Sequence, residues 1–60
     1  MSMDDLNDYA YPTMMAETAL KELHKAMLEG KYEKALEHGL NARIWTSRII
    51  ETVRMKLGND

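Results

Sequence analysis

Ala26-Met27-Leu28-Glu29-Gly30-Lys31-Tyr32-Glu33-Lys34-Ala35-Leu36 is the stretch that decides the fold. It joins two segments whose apolar residues recur at helical spacing, and Gly30 can take the left-handed conformation that ends a helix without steric cost. Lys31 and Tyr32 restart the chain. With only one or two residues outside helix, the second helix has to fold back antiparallel on the first, as in an αα-hairpin.

Upstream of the turn, Ala16, Leu20, Leu23 and Met27 recur at i, i+4, i+7 and i+11, with Glu22, Lys25 and Glu29 on the other side. Pro12 suits a first helical turn, so the spacing predicts helix one over about 13–29, preceded by a short N-terminal arm, 1–12, with Ser2 and Asp5 as candidate caps. Downstream, no strong stop occurs before Gly58-Asn59, which predicts helix two over about 32–57. One face of it carries Tyr32, Ala35, Leu36, Gly39, Ala42, Thr46, Ile50, Val53 and Leu57. Leu40, Ile44 and Met55 fall on one flank, and Trp45 with Ile49 on the other. The expected fold is all-α, a single hairpin domain spanning 1–60.

A chain of 60 residues buries only about 60% of its unfolded surface, so a lone core is marginal. Small domains usually add disulfides, a structural metal or self-association. There is no cysteine, and two histidines are too few for a structural zinc site without carboxylates. Helix two is also longer than helix one and apolar on most sides in its second half. Self-association into a dimeric four-helix bundle is the expected remedy, with Leu36, Leu40, Ile49, Ile50, Val53 and Leu57 at the interface and Gly39 and Ala42 allowing close approach.

Composition narrows the function classes. The net charge is −2, with 8 basic against 10 acidic side chains, which leaves no footprint for neutralising phosphates and makes DNA binding unexpected. The charge is graded along the chain: the first 20 residues hold only acids (Asp4, Asp5, Asp8, Glu17), whereas Arg43, Arg48, Arg54 and Lys56 lie in the last 20. No basic leader and no apolar run of about 20 residues is present, so no membrane partner is expected and a cytoplasmic location is.

Chemistry-bearing constellations are sparse. His24 and His38 flank the turn with Glu37 nearby, but a metal site needs three or four converging ligands, so surface histidines are the expected reading. Ser47 has no neighbouring histidine in sequence, and the glycines form no phosphate loop. No catalytic residue, metal or cofactor is expected. The cluster with the composition of a binding hot spot is Trp45 with Ile44, Arg48 and Arg54. Its arginines could also pair with Asp4, Asp5 or Asp8 of the arm. Arg43 lies within the apolar stripe, where a lone charge would be expensive; it is expected to find a carboxylate across the interface, with Glu17 a candidate, to snorkel outward, or to hold an anionic ligand.

Residues Gly30-Lys31-Tyr32-Glu33-Lys34-Ala35-Leu36, with Ala42 seven residues after Ala35, resemble the middle of a tetratricopeptide repeat, which implies a packed antiparallel helix pair. Gly39 stands where that repeat prefers a large aromatic, and the proline expected near Ser47 is missing; a single unit also makes no peptide groove. The whole chain is similar to the short helical-hairpin proteins of bacteriophage genomes, on the stretch Gly30-Lys31-Tyr32-Glu33-Lys34-Ala35-Leu36-Glu37-His38. That resemblance implies a phage protein acting in the bacterial host's cytoplasm. Together these readings predict a non-catalytic, homo-oligomeric interaction module that binds and inhibits a host factor. The alternatives are an arginine-lined oligomer sequestering a nucleotide or other small anion, and a structural or virion-associated protein.

Overall fold

The computed structural model describes residues 9–58, and these form two helices, α1 (Tyr11–Leu28) and α2 (Tyr32–Gly58), packed as an all-α antiparallel hairpin. The helices fall within two residues of the predicted bounds. The main difference lies at the start of α1. Pro12 sits inside the first turn rather than opening it, and a π turn at residues 9–10 leads into the helix. Ala10, the N-cap, is itself helical (φ −67°, ψ −42°) and makes no side-chain cap. The predicted arm therefore ends earlier than residue 12; its caps Ser2 and Asp5 lie outside the described residues.

The turn closes as the sequence demands. Gly30 has φ +73°. The Gly30 amide donates to the Met27 carbonyl at 3.1 Å and the Lys31 amide to the Ala26 carbonyl at 2.8 Å, the paired bonds of a Schellman motif that satisfy carbonyls the helix end would leave bare. One residue later the Ala35 amide bonds to the Lys31 carbonyl at 3.0 Å, and α2 is under way. Glu33 in the first turn of α2 and Lys56 in the last complement the helix dipole.

The seam between the helices is made of small side chains. Pro12, Ala16, Ala19 and Ala26 of α1 and Ala35 and Ala42 of α2 are buried. Leu23, Trp45 and Ile49 are half-buried beside them. Gly39 meets Leu23 so closely that a Cβ on it would lie 3.2 Å from Leu23 Cδ1. All four threonines turn their hydroxyls back into the helix, each donating to the carbonyl four residues earlier; Thr46 Oγ1 reaches the Ala42 oxygen at 2.8 Å. The result is thin: the Cα extents are 46 × 18 × 11 Å, a single layer of helices.

Candidate functional site

A single layer has two broad faces, and the sequence loads them differently. At 100° per residue, the buried residues of α1 centre on Ala19, and Leu20 and Met27 lie some 80–100° to one side of that line. On α2, Tyr32, Leu36, Ile50 and Leu57 lie to one side of the line through Ala35 and Ala42, and Val53 lies on that line. Because the helices are antiparallel, those two sides coincide. One broad face therefore presents Leu20 (54% exposed) and Met27 (49%) from α1 beside Leu36 (63%) and Ile50 (46%) from α2. Single exposed apolar side chains are ordinary, but a contiguous apolar face on a small domain marks an interaction surface.

The opposite face is polar toward the turn and aromatic toward the open end. Near the turn, Glu22, Lys25, Ala26, Glu29, Lys31, Lys34 and His38 line a shallow cavity of about 190 Å³. Its charges are largely compensated: Lys31 Nζ pairs with Glu29 Oε1 at 3.3 Å, and Lys34 Nζ with Glu37 Oε2 at 3.6 Å on an exposed edge. Further along, the Tyr11 and Trp45 rings meet edge to face with centroids 5.6 Å apart, and the Arg48 guanidinium lies over Trp45, 4.7 Å from the ring centroid. That stack is a rigid amphipathic ridge, a composition suited to contact with another protein.

The five predicted binding residues do not share one surface. Trp45 and Arg48 stand together on the ridge. Ile44 (55% exposed) lies on the outer edge of α2, away from α1. Arg43 projects from the apolar face, and Arg54 lies near the overhanging end, where its Nη1 pairs with Glu51 Oε1 at 3.9 Å. The three arginines therefore form no common anion pocket within one chain. Asp4, Asp5 and Asp8, the other candidate partners, lie outside the described residues. Of the six predicted interface residues, Leu36, Ile50 and Leu57 fall on the apolar face, and Val53 lies on the seam line at the overhanging end. Leu40 (48% exposed) lies on the outer edge, and Ile49 is half-buried in the seam against α1.

Tyr11 was missed from the sequence as Trp45's ring partner. The hairpin register supplies the signal: Gly39 abuts Leu23, which puts Tyr11 level with residues 50–51 of α2, about one and a half turns from Trp45. Among the described residues no group of three His, Asp or Glu is placed to hold a metal ion, and no helix is long and apolar enough to cross a membrane. Compared with protein-family models, with curated proteins and with solved structures, the chain gives no match.

Proposed function

We propose that this chain is a non-catalytic protein-interaction module that works as a homo-oligomer. The observation that carries the reading is the exposure of Leu20, Met27, Leu36 and Ile50 together on one broad face of a layer 11 Å thick. Stable domains bury apolar faces between at least two layers, and a second copy of the hairpin would supply the second layer. Sedimentation equilibrium over a concentration series tests this. The wild-type chain is expected to associate, and Leu36→Lys or Ile50→Lys to shift it to monomer with its helicity retained; a wild-type monomer throughout the micromolar range would end the reading.

Self-association through the apolar face leaves the Tyr11–Trp45–Arg48 ridge on the outside, free to meet a different protein. The resemblance to phage hairpin proteins makes a bacterial host protein the first candidate, with inhibition as the effect. Comparing proteins retained from a bacterial lysate by the wild type and by the Trp45→Ala, Arg48→Ala double variant checks this part. Identical sets would remove the ridge from consideration.

A further inference from the structure

Arg43 projects from the apolar face of α2 and Glu17 from the outer edge of α1, and neither is in an ion pair among the described residues. The register set by Gly39 against Leu23 puts Arg43 level with residues 18–19, within half a turn of Glu17. They share a height but sit on opposite sides of the face. A second feature lies at the open end. Residues 51–58 of α2 run about 12 Å past the start of α1, and Val53 and Leu57 are 46% and 69% exposed there. On the helical wheel Leu57 points diagonally, between the seam and the apolar face, while Val53 points along the seam line of Ala35.

Resting on the interaction reading above, we propose that a second copy of this chain covers the apolar face, related by a two-fold axis parallel to the helices, so that each α1 lies on the partner's α2. That axis preserves heights along the bundle. Arg43 then meets Glu17 of the partner subunit on the rim, and the pair forms twice. The two overhangs share one end, where Leu57 faces the partner's Leu57 across the diagonal, with axes about 14 Å apart if adjacent axes are about 10 Å apart. All neighbouring helices are antiparallel, as in an up-down four-helix bundle.

The other stacking has its axis perpendicular to the helices and lays like helix on like. At full overlap it sets Arg43 within about a turn of the partner's Arg43, and Glu17 opposite the partner's Glu17. It also sends the overhangs to opposite ends, each uncovered. Like charges brought together at an interface are unfavourable, and exposed Val53 and Leu57 gain nothing from that arrangement. Size and polarity suit a second copy: the Cα extents of the broad side, 46 by 18 Å, give a partner of the same dimensions room to lie along it. Thr46, near its middle, has its hydroxyl bonded to Ala42 and presents no unsatisfied donor.

The test uses the full chain, with circular dichroism confirming that each variant stays helical. In sedimentation equilibrium, Arg43→Glu is expected to weaken the dimer on the order of tenfold, since two rim pairs become like-charged, and adding Glu17→Arg is expected to restore it. The chain has no cysteine, so Leu57→Cys carries a single thiol. A short bismaleimide should join it into a covalent dimer, while Asn41→Cys on the opposite face should stay uncrosslinked. A wild-type chain that remains monomeric overturns the interaction reading itself. A chain that dimerises but lacks either signature, or that forms a trimer, overturns this stacking and leaves the interaction reading standing.

Discussion

Alanine sets the distance between these helices. Ala16, Ala19, Ala26, Ala35 and Ala42 are the only buried hydrophobic core residues among those described, apart from Pro12, and Gly39 extends the row where Leu23 leans in. A branched side chain in that row has no room to go. Ala42→Leu is expected to lower stability by about 1–3 kcal/mol through overpacking. A thermal melt at fixed concentration checks it, and an unchanged midpoint would show that the seam is looser than its residues imply. Gly30 makes a different demand. Nothing lies within 4 Å of a Cβ built on it, so Gly30→Ala meets no clash, but φ +73° costs an L-residue about 1–2 kcal/mol. The midpoint should fall by roughly 4–8 °C per kcal/mol for a chain of this size. A fall equal to that of an exposed mid-helix control would rule out backbone strain as the cause.

At the scale of elements, α1 and α2 differ in how they are held. The start of α1 has no side-chain cap, and the Tyr11 ring against Trp45 ties it to α2 instead. Trp45→Ala is therefore expected to fray the first turns of α1, with amide exchange there faster by about two- to tenfold for a lost contact worth about 0.5–1.5 kcal/mol, while amides around Ala26 and Ala35 stay protected. Uniform acceleration across both helices would count against a local role for the rings. The same contrast explains what the sequence disclosed. The turn and both helices were legible because Gly30 interrupts two helical periodicities and local bonding dictates the outcome. The entry into α1 was not, since an uncapped start through a π turn leaves no mark in residue type. The predicted binding cluster was read along the chain, where Arg43, Ile44, Trp45 and Arg48 are neighbours, but successive residues diverge by 100° and the structure scatters them over different surfaces. Tyr11 joins Trp45 only across the hairpin. Such a contact becomes visible once the register of the seam is known.

For the whole molecule, the apolar stripes point beyond the seam. On α1 the row Ala16, Leu20, Leu23 and Met27 is turned partly away from α2, and on α2 the row through Gly39, Thr46, Ile50 and Leu57 is turned partly away from α1, both toward the same open face. Each stripe is wide enough for two neighbours and the hairpin supplies one. If a second copy supplies the other, as proposed, folding and association are a single equilibrium and apparent stability depends on protein concentration. For a dimer of this size, each tenfold rise in concentration should lift the melting midpoint by roughly 5 °C, from 1.4 kcal/mol of mass action against the unfolding entropy of both chains. Ile50→Lys should lower the midpoint and flatten that dependence together, because a lysine in the middle of the face removes the partner that supplies the second layer. A midpoint that stays constant over a hundredfold dilution would mean that the alanine seam stabilises the hairpin by itself, leaving Leu20, Leu36 and Ile50 in water at no cost the fold cannot bear.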